Sequence, residues 1–323
     1  MIFVVGSINQ DLVSFIDRVP QAGETVTGKG FNLFPGGKGA NQAVAAARLG
    51  QKVRLVARIG RDVFAAALLD HLQANGVETG LVVESTDQPT GTAVILVEDD
   101  GENRIVLEPG ANAYLAPSDL EPLRDLLGPS TVLLLQLEVP METVDRAAEL
   151  GHAAGATVIL DPSPAQLLSE RLLRSVDVLT PNQTELSVIT GASATSSRSE
   201  CAAAAKVLLE RGVRRVVVKM GGQGCMLVVD DEDLAIPAYR VASVDTTGAG
   251  DAFNGGLAVA LARGLPLGDA CRFANAVGAL AVTKPGAQSS LPTLREVWTL
   301  MADDFRRGAM DWSASANQTC RTN

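Results

Sequence analysis

The chain has 323 residues, 46% hydrophobic and 20% charged, a composition that provides for one large globular core and excludes a chain too polar to fold. Its 37 acidic and 27 basic residues leave a formal net charge of −10, which argues against nucleic acid as a partner, so an anionic ligand must be held by backbone dipoles and a few lysines. Two histidines, His71 and His152, are too few for a His-rich metal site, and Cys201, Cys225, Cys271 and Cys320 lack paired spacing; with no apolar run near 18 residues and a strand in place of a leader, the expectation is a cytoplasmic protein with reduced thiols and no membrane partner.

Residues 2–5 are a short β-branched strand that runs into Gly6-Ser7-Ile8-Asn9-Gln10-Asp11. Asn9 and Asp11 therefore fall just past a strand's carboxyl end, where open parallel sheets bind ligands. An amide and a carboxylate two residues apart suit sugar hydroxyls, and the same residue types also form turns. An extended piece at 23–34 leads into Pro35-Gly36-Gly37-Lys38-Gly39-Ala40-Asn41-Gln42, ahead of a helix at 43–49 closed by Gly50. The spacing is not that of a Walker loop. Either the glycines let a ligand lie against bare backbone with Lys38 and Asn41 supplying polar groups, or they make a tight turn and a helix cap.

A strand at 53–59, a helix at 62–75 and a strand at 81–84 begin a β-α alternation, which then breaks. Segments 92–97 and 104–107 flank residues 98–103, whose Asp100-Gly101 step reads as a hairpin turn. With 12–16 and the segment before Phe34 they form a small four-stranded sheet, placed to act as a lid over the strand ends. Its other face is apolar and calls for cover, for which the lid of a second copy is a mate.

From Pro117 the alternation is regular: helix 118–127, strand 131–137, helix 141–154, strand 157–160, a helix near 166–173 and strand 176–179. The fold class is thus α/β, a mainly parallel sheet sandwiched by helices. Polar residues recur at the strand ends, at Gln136, Glu138, Asp161 and Asn182. Asn182 and Glu185 have the spacing of a capping box for the helix that follows. A helix at 200–211 and a strand at 213–218 lead to Lys219-Met220-Gly221-Gly222-Gln223-Gly224, which is either a hairpin turn into 225–229 or room for a nucleotide.

A strand-like piece at 240–244 precedes Asp245-Thr246-Thr247-Gly248-Ala249-Gly250-Asp251-Ala252-Phe253, and an alanine-rich helix at 252–263 stops at Gly264. Gly248, Ala249 and Gly250 then offer amides at the mouth of a helix, whose end carries roughly half a positive charge and favours a developing phosphate. That field is expected to keep Asp251 ionised, so that it can take the proton of an attacking hydroxyl; the alternative is that Asp251 caps the helix. A helix at 267–283 carries Asn275, a turn-rich loop spans 284–290 and a last helix spans 293–306. Residues 308–323 read as a disordered tail, which leaves one domain, 1–307, with its lid at about 11–34 and 90–109.

The run from Gly36 to Gln42, the Asn182/Glu185 pair, the nonapeptide ending at Phe253 and the loop at 284–290 resemble, in this order, the motifs of the ribokinase-like carbohydrate kinases over roughly residues 1–300. The resemblance implies that Mg²⁺-ATP donates its γ-phosphoryl group to the primary 5-hydroxyl of D-ribose, with deoxyribose, a nucleoside or a hexose as alternatives. A non-catalytic sensor should have lost the base or the anion hole, and both are present. By the same resemblance, Asp251 is the base and Gly248, Ala249 and Gly250 are the anion hole. Sugar contacts are implied for Ser7, Asn9, Asp11, Gly36, Gly37, Lys38, Gly39, Asn41 and Glu138. ATP contacts are implied for Asn182, Lys219, Met220, Gly221, Gly222, Gln223, Gly224, Gly250 and Asn275, with relatives differing at Lys219. Magnesium is implied at Glu185 through water, and potassium at Asp245, the Ser290 hydroxyl and backbone carbonyls of Thr247, Ala281, Lys284 and Gly286. A homodimer through the lid completes what the likeness implies.

Overall fold

Runs of aliphatic and β-branched residues too short for helices become strands buried on both faces. The computed structural model describes residues 1–99, 102–192, 195–230 and 232–306. In chain order the elements are β1 (Ile2–Val5), β2 (Asn9–Phe15), β3 (Gly30–Gly36), α1 (Lys38–Arg48), β4 (Val53–Gly60), α2 (Ala65–Ala74), β5 (Val77–Ser85), β6 (Gly91–Val97) and β7 (Asn103–Glu108). They continue with α3 (Leu123–Leu126), β8 (Val132–Leu135), α4 (Met141–Ala153), β9 (Thr157–Leu160), α5 (Glu170–Arg174), β10 (Val178–Leu179), α6 (Gln183–Thr190) and α7 (Arg198–Glu210). The last are β11 (Val216–Lys219), β12 (Cys225–Val228), β13 (Asp233–Ile236), α8 (Ala249–Ala262), α9 (Leu267–Ala281) and α10 (Leu294–Arg306).

Nine strands form one sheet in the order β13-β12-β11-β10-β9-β8-β1-β4-β5. The pairs from β11 through β5 are parallel, and only the β11-β12-β13 edge is antiparallel. The period-two alternation of a strand divides its side chains between two cores. Ile2 and Val4 of β1 and Val132 and Leu134 of β8 join the core under α1, α8 and α9. Phe3, Val5, Leu133 and Leu135 join the opposite core, under α4, α6 and α7. Helices therefore cover both faces, as the alternating order required.

The second sheet has the order β3-β2-β6-β7, with β2 antiparallel to β3 and parallel to β6. This is the inserted lid sheet, and its strands begin at Asn9 and run through Gly36, a little beyond the expected limits. Asn9 lies in register with Gly36 on one side and Gly91 on the other, so the lid is rooted at the glycine run that opens α1. Leu33, Val94 and Val106 form with Leu12 a row across the four strands, and all but Leu12 are exposed.

Several boundaries differ from expectation for local reasons. Residues 118–127 hold a 3₁₀ turn, Pro117–Leu120, and the short α3, because Pro122 cannot donate within a continuous helix. The helix near 166–173 is reduced to α5, which starts only where Ser169 accepts from the Leu172 amide as N-cap. Residues 240–244 join no strand, although Val244 donates to the Val282 carbonyl, and β13 is an edge strand that the sequence reading did not contain. Helix α1 begins at Lys38 rather than 43, which places Lys38, Asn41 and Gln42 on its first turn. The Asp100-Gly101 turn and the tail at 308–323 lie outside the described residues. Among the described residues, no helix is long and apolar enough to cross a membrane.

Candidate active site

The carboxyl ends of the parallel strands, the first turn of α1 and the first turn of α8 meet under the lid. Helix α8 starts at Gly248, whose φ of 73° is left-handed and suits glycine, while a Cβ there would lie 3.0 Å from the Ala287 backbone. Ala249 and Gly250 follow directly as the first residues of α8, so the three residues open a helix as the sequence led one to expect. Gly39 is a glycine for space: a Cβ would stand 2.6 Å from the backbone of Gly6 and Ser7, so α1 could not approach β1 with a side chain there.

Asp251 lies one turn into α8 and is buried. Its Oδ2 accepts from Asn41 Nδ2 at 2.8 Å and its Oδ1 from Gln42 Nε2 at 2.9 Å. Burial raises its pKa to about 6, partly offset by the Lys38 charge and these two hydrogen bonds, with Asp161 adding to the rise. Desolvation is the largest influence on this carboxyl, which with a pKa of about 6 is mostly ionised at pH 7, as expected of it. Such a value suits a general base.

On the lid side, Ser7 Oγ donates to Glu138 Oε2 at 2.5 Å, and the Lys38 amide donates to the same oxygen at 3.0 Å. Asn9 accepts from Asn112 Nδ2 at 2.7 Å, and Asn112 is pinned by both the amide and the carbonyl of Ile8. Asn112 escaped the sequence reading because it sits in a 3₁₀ turn about a hundred residues from Asn9. The Asp11 carboxyl has its pKa raised to about 7, first by burial and then by Glu138 and Asp251. Burial disfavours the Lys38 charge, yet Asp251, Asp161, Glu138 and Glu185 more than offset it and hold its pKa above the ordinary lysine value. Ser7, Asn9, Asp11, Lys38 and Glu138 thus lie close to one another, and the Asn41 side chain reaches Asp251 and Gln288.

On the other side of Asp251 is a cavity of about 760 Å³. Lys219, Gly221, Gly222, Gln223 and Gly224 line it together with Gly250 and Asn275, while Phe253 and Val282 give it apolar walls. Residues 219–224 make a hairpin turn between β11 and β12 and also line the cavity, so the two readings of that turn coexist. Met220 and Asn182 are exceptions among the expected nucleotide residues: Met220 is buried in the core below the turn, and Asn182, the N-cap of α6, is not part of the cavity lining. Lys219 Nζ donates to Asp161 Oδ1 at 2.7 Å and lies 3.9 Å from Glu185 Oε2. Asn182 and Glu185 form the capping box of α6, each side chain accepting from the other's amide. Gln42 Nε2 also donates to Asp161 and its Oε1 accepts from Gln136, which links the cavity side to the base.

The donor sets allow the two implied metals a test. Among the described residues no group of three or more His, Cys, Asp or Glu could hold a metal ion. That fits magnesium held by one carboxylate, Glu185, with phosphates and water rather than by a protein cage. At the potassium position, burial of Asp245 is outweighed by the Gly286 and Thr247 amides, which hold its pKa below the usual carboxylate range. Ser290 Oγ, fully buried, donates to the Ala287 carbonyl and keeps its lone pairs. Asp245 is thereby tied to the 284–290 loop, which also holds Ser290.

The model of the pfkB family carbohydrate kinases matches residues 1–294. The chain belongs to that family. The ribokinase of Haemophilus influenzae is 39% identical over 293 residues, which covers 91% of this carbohydrate kinase and 95% of the relative. A deoxyribokinase of Salmonella typhimurium is 36% identical over 296 residues, covering 91% and 96%. Among solved structures, a ribokinase of Arabidopsis thaliana complexed with ribose and ATP superposes with a TM-score of 0.86 at 35% identity, covering 93% of this carbohydrate kinase and 97% of that one. The sugar-kinase expectation drawn from the motifs, with its α/β fold and small lid sheet, is met.

Proposed function

We propose that this carbohydrate kinase transfers the γ-phosphoryl group of ATP to the 5-hydroxyl of D-ribose, giving ribose 5-phosphate and ADP. The observation that carries the reading is the position of Asp251, between a cavity of nucleotide size and the Asn9, Asp11, Lys38 and Glu138 cluster. In this reading the cluster binds the sugar ring, and Asp251 accepts the proton of the 5-hydroxyl as that oxygen attacks phosphorus. The Gly248, Ala249 and Gly250 amides stabilise the charge on the migrating PO₃ group, and Asn275 and the 221–224 turn hold the nucleoside end. Magnesium, when bound near Glu185, neutralises phosphate charge. Potassium at the Asp245 and Ser290 oxygens stiffens the neighbouring anion hole. The lid of a second copy covers the exposed apolar lid residues in a cytoplasmic homodimer.

Deoxyribose is the second reading, favoured by the deoxyribokinase relative. A panel of pentoses, hexoses and nucleosides, scored by ADP release with Mg²⁺-ATP, separates the two: kcat/KM highest for ribose is expected, and a preference for deoxyribose would replace the first reading by the second. Asp251→Asn is expected to lower kcat by about 10²- to 10⁴-fold with folding intact. Near-normal turnover in that variant would remove Asp251 as the base.

A further inference from the structure

A buried glutamine outside the expected site residues is joined to the candidate base by hydrogen bonds. Gln288 is 2% exposed, in the 3₁₀ turn Gln288–Ser290 that ends the candidate cation loop. Its Nε2 donates to Asn41 Oδ1 at 2.9 Å, and Asn41 Nδ2 in turn donates to Asp251 Oδ2 at 2.8 Å. The turn itself is strapped to α1 a second time, because Arg48 Nη1 donates to the Gln288 and Leu291 carbonyls at 2.9 Å each. Gln288 Oε1 lies 3.0 Å from His71 Nε2, which donates to it in the tautomer protonated at that nitrogen. Both ends of Gln288 are thus committed, and its donor faces Asn41.

An asparagine amide can be turned over with little change of shape, and only its partners choose the orientation. If Asn41 were reversed, its carbonyl oxygen would face the Asp251 carboxylate and repel it. A donor at Asn41 Oδ1 prevents the reversal. We propose that Gln288 is a positioning residue for phosphoryl transfer, acting through Asn41 to hold the Asp251 carboxylate in place and tying the 288–290 turn to the reacting centre. The proposal rests on the reading of Asp251 as the base. It also supplies a contact path from the loop at 284–290 to the base that bypasses the anion hole.

Two variants test it. Gln288→Met keeps length without hydrogen bonds, and Gln288→Glu keeps size but, when ionised, offers Asn41 an acceptor where a donor is needed. Each is expected to lower kcat about tenfold while KM for ribose and ATP stays within about twofold, with the thermal midpoint lowered by a few degrees and the variant still folded at the assay temperature. Because the effect passes through Asn41, adding Gln288→Met to Asn41→Leu is expected to lower kcat no further. Side-chain amide NMR gives a readout free of turnover: the Asn41 Nδ2 protons are expected to shift in Gln288→Met. Unchanged kcat in both variants, a full tenfold loss that persists beside Asn41→Leu, or unmoved Asn41 resonances would each overturn the relay. A parent enzyme active on no sugar of the panel would instead count against the proposed function, while the resonances would still decide the relay.

Discussion

Asp251 and Asp11 are carboxyl groups held where ionisation is costly, and both consequences can be measured. With its pKa raised to about 6, Asp251 is protonated and unable to act as base at lower pH, so kcat is expected to fall as pH drops through about 6. A flat kcat down to pH 5 would contradict this. Asp11 affects stability. Its folded pKa of about 7 lies above the ordinary 3.8, so between these values the folded chain binds a proton that the unfolded chain has lost. Stability from this group is therefore present at acid pH and declines as pH rises from about 4 to about 7. Asp11→Asn is expected to raise the thermal midpoint at pH 8 by about 2 °C, with the gain absent near pH 4, and to raise KM for ribose about tenfold. Such opposite effects on stability and binding are usual where a site is built for ligand rather than for its own folding.

At the scale of elements, the site depends on how closely α1 and α8 approach. Asn41 and Gln42 reach Asp251 because Gly255 lets the helices touch: a Cβ there would be 2.6 Å from Ala45 Cβ. Gly255→Ala is expected to cost about 1–3 kcal/mol in chemical denaturation and to lower kcat, since overpacking parts the helices that carry base and amides. A neutral effect on both would show that α1 moves freely relative to α8. The same element scale separates what a linear reading can find from what it cannot. The α8 mouth was legible because glycine, helix start and carboxylate are neighbours in the chain, and the capping box at Asn182 and Glu185 was legible by spacing. Asn112 and Gln288 were not, because each acts on a residue a hundred or more positions away, and Gln136 was legible as a strand-end residue but its partner Gln42 was not. Their amide side chains carry no local pattern that distinguishes them from ordinary turn and strand-end residues. The start of α1 at Lys38 was also missed, since a glycine run reads as a turn until packing against β1 rewards a helix.

For the whole molecule, the lid sheet is the open question that solution measurements can close. Ile105 and Val106, on opposite faces of β7, are 58% and 70% exposed, which is unusual for adjacent aliphatic residues in a strand of a folded chain. The double change Ile105→Lys and Val106→Lys is expected to convert a dimer to a monomer in sedimentation, whichever lid face the second copy covers. A parent that sediments as a monomer at all concentrations would rule the lid dimer out. Composition and the order of strand and helix patterns determined by themselves the α/β class and the inserted lid, because each is written in neighbouring residues whose spacing matches one local geometry, while the kinase chemistry was legible through the resemblance of the two glycine-rich signatures to a family's motifs. The titration of Asp251 near pH 6, the engagement of Asn41 with the base and the burial of Met220 in the core were decided only by tertiary structure. Desolvation and hydrogen-bond partners are properties of a place in space, and the chain acquires them only when segments distant in sequence close around it.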